Sequence, residues 1–218
     1  MKHPINNPAQ TTEEYITDLQ NGLAKNPDCG TSHYNLAVAL VKQGRWDEAV
    51  LEFQSAIASS PTLAEAYVDL GGICFQRGDL EGCIRNNQEA IKIRPKFSVP
   101  YGNLGFAYLQ KGEIEEAVQT LEKALAINPH FVQAQATLAN AYFMQGRLED
   151  SIAASLKVLE MAPTFAVAHN NLALAYFEKG EFEKALIHCD QAQRHGFPVD
   201  PRFLEELAPH REKGAPAA

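Results

Sequence analysis

Long apolar runs are missing from this sequence, and so is an excess of positive charge. No segment approaches the ~18 consecutive apolar residues that a membrane-spanning helix needs, so direct insertion into a membrane is not expected. Acidic residues outnumber basic ones by 27 to 19, which gives a formal net charge of −8. General nucleic-acid binders present a basic surface to the phosphates, and this balance therefore predicts no nucleic-acid partner.

Cysteine is also scarce, with four residues in a chain of 218. The four form no CxxC pair and do not reach the density of a disulfide-stabilised scaffold, which favours a reducing compartment. The first eight residues contain no apolar segment of the kind found in a secretory leader. Together these features predict a cytoplasmic location.

Recognisable catalytic motifs are absent as well. The sequence has no phosphate-binding loop, no GxGxxG motif, no GxSxG elbow and no HExxH motif. The densest group of possible metal ligands is His188, Cys189, Asp190 and His195. His188 and Cys189 are sequence neighbours, however, and neighbours point apart on a helix. We therefore predict no enzyme activity, no catalytic residue, no metal site and no cofactor.

What the sequence does contain is a period of 34 residues that runs through five units. Leucine, glycine and proline each keep this period. The leucines are Leu36, Leu70, Leu104, Leu138 and Leu172; the glycines are Gly44, Gly78, Gly112, Gly146 and Gly180; the prolines are Pro27, Pro61, Pro95, Pro129 and Pro163. Three residue types on one period predict a stack of equivalent structural units.

Each unit is predicted to contain two helices. In the third unit, apolar residues at helical spacing predict helices over 98–111 and 114–127. The periodic glycine follows the first helix, where glycine most easily adopts a left-handed cap conformation. The periodic proline ends the second helix, because its ring cannot continue the hydrogen-bond ladder. Small residues such as Gly105 and Ala117 are expected where the two helices cross closely.

These residues resemble the tetratricopeptide repeat family. The third unit matches the family pattern at Tyr101, Leu104, Gly105, Tyr108, Gly112, Ala117, Leu121, Ala124 and Pro129. The resemblance implies an all-α fold, a right-handed superhelical α-solenoid of antiparallel helix pairs. Asn87, Ser155 and Cys189 depart from the pattern, because the family prefers an aromatic residue at these positions.

The ends of the chain are predicted to cover the repeats. Thr11 and Glu14 form a capping-box pattern, which predicts an N-terminal capping helix, a half-repeat over 11–29. Five repeats follow over 30–197, divided as 30–63, 64–97, 98–131, 132–165 and 166–197. The dipeptide at 200–201 predicts a C-terminal capping helix over 198–211. Residues 1–10 and 212–218 are predicted to be disordered.

The resemblance also implies a binding surface. In the family, the first helices of the repeats line the concave side, and this places a peptide-binding groove on the matching residues. Those in repeats one and two are Tyr34, Asn35, Val38, Val41 and Phe75; those in repeats three to five are Asn103, Phe106, Leu109, Asn140, Phe143, Met144, Asn170, Asn171, Leu174 and Phe177. Apolar residues on a solvent-facing surface tend to mark an interaction site, although packing between repeats is an alternative explanation.

One position in this set follows a second pattern. Asn35, Asn103 and Asn171 recur at every second repeat. In the superhelix of O-linked N-acetylglucosamine transferases, which the sequence resembles, an asparagine ladder at this position holds a peptide backbone, and simple repeat consensus is the alternative. A clamp for a terminal carboxylate is not expected, because its positions here carry no lysine or arginine.

The sequence therefore predicts an interaction scaffold or adaptor that binds a partner peptide or helix in the groove. The alternative function is a self-assembling structural scaffold, similar to tetratricopeptide proteins that coat bacterial membrane organelles. In that case the partner is another copy of the chain, and the protein is a homo-oligomer.

Overall fold

A computed structural model of the chain describes residues 11–213. Over these residues the chain forms twelve α-helices and no β-strand. The helices are α1 (Thr12–Lys25), α2 (Gly30–Lys42), α3 (Trp46–Ser59), α4 (Ala64–Gln76), α5 (Leu80–Ile93), α6 (Ser98–Lys111), α7 (Ile114–Ile127), α8 (Val132–Met144), α9 (Leu148–Met161), α10 (Ala166–Glu178), α11 (Phe182–Arg194) and α12 (Pro201–Lys213). The segments predicted to be disordered, 1–10 and 212–218, lie outside the described residues, except that the backbone of residues 212 and 213 ends α12.

The helix boundaries follow the sequence period. The first helices of the five pairs begin at positions 30, 64, 98, 132 and 166, which are 34 residues apart. The helices predicted over 98–111 and 114–127 have the same bounds in the structure, as α6 and α7. Within the described part of the chain, no helix is long and apolar enough to cross a membrane.

The periodic glycines end the first helices, as the sequence predicts. Their φ angles lie between 72° and 79°, in the left-handed region that glycine adopts without strain. In the first repeat, the N–H of Gly44 donates to the carbonyl of Val41, and the N–H of Arg45 donates to that of Leu40, both at 3.0 Å. These bonds satisfy carbonyls that the end of a helix otherwise leaves without a partner.

The second helices end before the periodic prolines, except in the last pair. For example, α7 ends at Ile127, two residues before Pro129. In contrast, α11 ends at Arg194 and is followed by a further left-handed glycine, Gly196, with φ of 83°. The N–H of Phe197 then donates to the carbonyl of Ala192 at 2.9 Å. This turn gives the chain after α11 a different path from the one that follows α7.

Contacts between residues divide the chain into two compact units, one up to Pro100 and one from Tyr101. In the first unit, α1 packs on α2, α2 on α3, α3 on α4 and α4 on α5. Its main core cluster contains Ile16 of α1, Leu36 and Leu40 of α2, and Phe53 of α3. All four side chains are almost fully buried, so α1 shares one apolar core with the first repeat.

The first described helix opens with the predicted capping box. The N–H of Glu14 donates to Thr11 Oγ1 at 3.2 Å, and the N–H of Thr11 donates to Glu14 Oε2 at 2.8 Å. Two donors at the helix start are therefore satisfied by side chains, which fixes where α1 begins.

In the second unit, each of the helices from α7 to α11 packs on the next helix of the chain, and α8 also packs on α10. The predicted close crossing of α6 and α7 is confirmed. A Cβ atom placed on Gly105 would lie 2.5 Å from Leu121 Cγ and 3.3 Å from the carbonyl oxygen of Ala117. Only glycine fits here without displacing α7.

Two departures from the family pattern leave polar groups in the interior. Asn87 is fully buried, and its amide donates to the carbonyl of Cys83 at 2.8 Å. Ser155 is also fully buried, but its hydroxyl oxygen has no hydrogen-bond partner among residues 11–213, and the same holds for Ser151. The predicted fold class, an all-α solenoid of helix pairs, is nevertheless maintained through both repeats.

Candidate functional site

In the first unit, the predicted groove residues lie on α2 and α4. Tyr34, Asn35, Val38 and Val41 on α2 and Phe75 on α4 are all half-buried. Each of these residues therefore keeps part of its surface in contact with solvent, and Tyr34, Val38 and Val41 also pack against the core cluster of the first unit.

A hydrogen bond joins the two helices on this side of the first unit. The hydroxyl of Tyr34 donates to Asp69 Oδ2 at 2.9 Å. Burial raises the pKa of the Asp69 carboxyl group, and the Tyr34 hydrogen bond opposes this rise. Burial and the charge of Asp69 raise the pKa of Tyr34 as well. The pair links α2 to α4 and occupies one acceptor that a ligand would otherwise find at Asp69.

In the second unit, the first helices α8 and α10 lie side by side. Their groove residues are spaced by the period, so that Asn140 and Phe143 correspond to Leu174 and Phe177. All four are half-buried. Met144, at the end of α8, is 46% exposed and is one of the most exposed large apolar side chains of the described residues. Asn170 on α10, and Asn103 and Phe106 on α6, are also half-buried.

Two predicted groove residues are not available at the surface. Leu109 is only 5% exposed and packs in the core cluster with Ala117, Leu121 and Leu138. Asn171 is 4% exposed, and its amide donates to the backbone carbonyl of Ala136 at 3.1 Å.

The prediction that Asn171 belongs to a ladder of asparagines open to a peptide is therefore wrong. The Asn171 amide is used to join α10 to α8, because that side chain lies between two packed helices and needs a partner there. Thr137, at the equivalent position of α8, donates to the carbonyl of Gln133 in its own helix at 2.9 Å. At positions 137 and 171 the polar side chain is thus bonded to a backbone carbonyl, within the same helix in one case and on the neighbouring helix in the other.

A cleft lies at the C-terminal end of the second unit. Its volume is about 780 Å³. It is lined by Asn170, Leu174, Phe177, Glu178, Phe197, Pro198, Asp200, Pro201, Arg202, Phe203 and Glu206. Three predicted groove residues, Asn170, Leu174 and Phe177, thus form one wall. Residues that follow α11 form the other wall.

The sequence predicts the C-terminal capping helix that carries part of this second wall, but it does not predict that the wall and α10 enclose a cleft, because these residues lie outside the 34-residue period. Two signals in the sequence mark it. One is Gly196, which allows the tight turn after α11. The other is Asp200, whose carboxylate accepts a hydrogen bond from the N–H of Arg202 at 2.9 Å at the start of α12.

Aromatic contacts hold α12 against α10. The ring of Phe177 meets the ring of Phe203 edge-on at a centroid distance of 5.3 Å, and it meets Phe182 of α11 in the same way at 5.5 Å. Phe203 and Leu207 are buried. In addition, Arg211 of α12 pairs with Asp190 of α11 at 2.6 Å. The wall of the cleft is therefore fixed by packing.

The charges around the cleft are mainly negative. Arg202 binds Asp200 at 2.9 Å, and this hydrogen-bonded pairing lowers the pKa of the Asp200 carboxyl group. Within the described residues, Glu178 and Glu206 form no ion pair of 4 Å or less. Because the charges of Arg202 and Asp200 neutralise each other, the cleft keeps a net negative charge from Glu178 and Glu206.

A pair of cysteines lies in the second helix pair, and a pair of histidines lies in the fifth. Burial raises the pKa of the Cys74 thiol and raises that of Cys83 to about 11, so neither is a thiolate at neutral pH. His169 and His188 approach each other with an Nδ1–Nδ1 distance of 3.0 Å. Among residues 11–213, however, no group of three His, Cys, Asp or Glu side chains is arranged to hold a metal ion.

Solved structures share this fold over most of the chain. YrrB, described as a TPR protein with an unusual peptide-binding site, is 20% identical, with a TM-score of 0.70 over 91% of this chain and 99% of its own. PilF of Pseudomonas aeruginosa is 20% identical, with a TM-score of 0.78 over 90% of this chain and 89% of its own. MamA of Desulfovibrio magneticus RS-1 is 20% identical, with a TM-score of 0.68 over 77% of this chain and 95% of its own.

Sequence comparison gives the family directly. No curated protein matches the sequence. Family profiles described as "Tetratricopeptide repeat" match residues 16–64, 87–119 and 166–195, and one described as "TPR repeat" matches 105–146 and 139–180. These matches extend over both units and agree with the 34-residue period, the helix pairs and the left-handed glycines. The chain belongs to the tetratricopeptide repeat family.

Proposed function

We propose that this protein is an interaction scaffold that binds a peptide or helix of a partner protein on the apolar side of its first helices. The observation that carries the proposal is the exposure of Met144, at 46%, beside the half-buried Phe143 on α8. Leucine and phenylalanine at the equivalent face of α10 extend this apolar surface. When a partner removes exposed apolar groups of this kind from water, the free energy of the complex is lowered.

Each unit carries its own proposed surface, made of those predicted groove residues whose side chains reach the solvent. They are Tyr34, Asn35, Val38, Val41 and Phe75 in the first unit, and Asn103, Phe106, Asn140, Phe143, Met144, Asn170, Leu174 and Phe177 in the second. The peptide-binding description of YrrB supports this use of the fold. The net charge of −8 favours a protein partner over a nucleic acid, and a cytoplasmic location stays a prediction.

A matched pair of variants tests the proposal. Phe143→Ala with Met144→Gln removes apolar surface from α8, whereas Leu156→Gln removes a comparably exposed leucine, at 42%, from the second helix α9. Each immobilised protein is incubated with a lysate of the source cells, and the captured proteins are quantified by mass spectrometry.

We expect the α8 variant to capture at least about fivefold less of the partners that the wild type retains, because interface affinity is concentrated in a few apolar anchors. The Leu156→Gln variant should capture them as the wild type does. Equal capture by all three proteins, with unchanged circular-dichroism melts, would reject the first-helix surface as the binding site.

Self-assembly is the second candidate, and a different surface favours it. Leu51 and Ile187, which occupy equivalent positions on the second helices α3 and α11, are 62% and 60% exposed. Sedimentation equilibrium over a hundredfold range of protein concentration separates the two functions. A protein that is monomeric at every concentration would reject self-assembly. An oligomer that dissociates when Leu51→Gln and Ile187→Gln are introduced would support it.

A further inference from the structure

The cleft between α10 and the residues that follow α11 has a chemistry of its own. We propose that it binds a peptide segment in which a large apolar side chain stands next to a lysine or arginine. This inference rests on the proposed function and names the kind of partner segment that the second unit accepts.

The floor and walls of the cleft suit a large apolar side chain. Leu174 and Phe177 face it from α10, while Phe197 and Pro198 face it from the turn after α11. Its volume of ≈ 780 Å³ lies within the range of ~300–1,000 Å³ that is usual for ligand-binding clefts. It has room for an anchoring side chain together with the backbone on either side.

The cleft is formed before any ligand arrives. The turn at Gly196 and the edge-on packing of Phe203 on Phe177 set the distance between the two walls. Val199 and Leu207 are buried beside them. Near the end of α12, Arg211 forms an ion pair with Asp190 of α11. A peptide therefore meets a surface that needs little ordering, which lowers the free-energy cost of binding.

The charges select a cation next to the apolar anchor. Glu178 ends α10 and Glu206 lies on α12, and both line the cleft without an ion pair within the described residues. Arg202, the cation of the cleft lining, is already bound by Asp200. A lysine or arginine of the ligand would find carboxylate partners here, whereas an acidic peptide would be repelled.

The sequence period shows that the acid is particular to this end of the chain. At the position of Glu178, the four preceding repeats carry Lys42, Gln76, Gln110 and Met144. A carboxylate is therefore not required by the repeat at this place. Its presence in the fifth repeat coincides with the cleft that α10 forms with the residues after α11.

Selection of peptides from a random library tests the inference. The full chain is immobilised, dodecapeptides displayed on phage are enriched on it, and the best peptides are synthesised for fluorescence anisotropy. We expect enriched peptides to carry an aromatic or large aliphatic residue within two positions of a lysine or arginine.

Charge reversal then locates the binding. Glu178→Lys with Glu206→Lys should weaken the best peptides about tenfold, because an attractive pair becomes a repulsive one. Glu115→Lys with Glu116→Lys on α7 changes the net charge equally at exposed positions away from the cleft lining, and should weaken them less than about twofold at 0.15 M salt. Leu174→Ala should also weaken binding while the circular-dichroism melt stays cooperative.

Enrichment of acidic or purely apolar peptides would overturn the inference, and so would basic peptides that ignore charge reversal at the cleft. Failure to enrich any peptide would overturn it too. None of these results affects the wider proposal if Phe143→Ala with Met144→Gln still reduces partner capture from the lysate. Conversely, a cleft that binds basic apolar peptides while lysate capture is insensitive to α8 would leave the cleft inference standing and reject the α8 surface.

Discussion

At the scale of single residues, the structure depends on a few positions where side-chain size or polarity is fixed by the neighbouring helix. Gly105 is one of them, because any Cβ there meets Leu121 and the backbone of α7. Ser155 is another, since it places an unpaired hydroxyl at a position that the other repeats fill with a hydrocarbon, amide or thiol side chain.

Gly105→Leu should lower the free energy of unfolding by roughly 1–3 kcal/mol through overpacking against α7. Gly72→Ala provides the control, because a Cβ on this helical glycine meets no atom within 4 Å. That control should raise stability by up to about 1 kcal/mol through helix propensity. Urea titrations followed by circular dichroism measure both, and a Gly105→Leu variant as stable as the wild type would contradict the close crossing.

Ser155→Ala should stabilise the protein by about 1 kcal/mol, because it removes a buried hydroxyl that has no hydrogen-bond partner within residues 11–213. Ser59→Ala, at the exposed end of α3, should change stability by less than about 0.5 kcal/mol. Thermal and urea unfolding of both variants provide the comparison. A loss of stability in Ser155→Ala would mean that the hydroxyl has a partner in solution.

At the scale of helices, the sequence predicts what the period controls and misses what departs from it. The bounds of α6 and α7 are correct because glycine and proline act locally on the backbone at fixed positions. The helix that carries Phe203 is predicted, but the cleft that Phe197 and Phe203 line with α10 is missed, because no repeat period relates this arrangement to the other units. The bond from Asn171 to Ala136 could not be predicted either, since the pattern places an amide on a face without showing which carbonyl lies opposite it.

Equivalent positions of the first and fifth helix pairs carry opposite electrostatics. Positions 33 and 52 hold a histidine and a glutamate, joined by an Nδ1–Oε2 distance of 2.6 Å. Four periods later the same positions hold His169 and His188. Burial lowers the pKa of His33, but the hydrogen bond to Glu52 and the other interactions outweigh it, and the net pKa is raised. Burial and the neighbouring His169 lower the pKa of His188 to about 4.

These shifts give the two helix pairs opposite responses to pH. A raised histidine pKa adds stability that is complete below the unfolded value of about 6.5 and is lost as the pH rises through the folded pKa. For His188 the unfolded chain binds the proton more tightly, so stability falls as the pH drops from about 6.5 towards 4. The ring of Tyr176 stacks on His188, and His195 stacks on His169.

His188→Glu should reverse the acid response of the fifth repeat, because it supplies the carboxylate that the first repeat has at position 52. We expect the difference in melting temperature between this variant and the wild type to become more favourable to the variant as the pH is lowered from 7.5 to 5. For Glu52→Gln, the melting temperature relative to the wild type should become less favourable as the pH is lowered. A variant whose advantage does not depend on pH would contradict the histidine pairing.

At the scale of the whole molecule, much of the negative charge belongs to the repeat itself. Acidic residues occupy the first turns of the second helices, as Asp47 and Glu48 do in α3 and Glu115 and Glu116 do in α7. There they complement the positive end of the helix dipole. Glu178 and Glu206 lie elsewhere, at the end of α10 and within α12, so their charge does not serve this role and remains available to a ligand of the cleft.

The first helices, and not the second, are proposed to bind the partner. Hydrogen–deuterium exchange of the full chain, with and without a captured partner peptide, distinguishes the two sets of helices. Exchange should become slower in α8 and α10 on binding, with α9 and α11 unchanged. Slower exchange confined to α9 and α11 would contradict it.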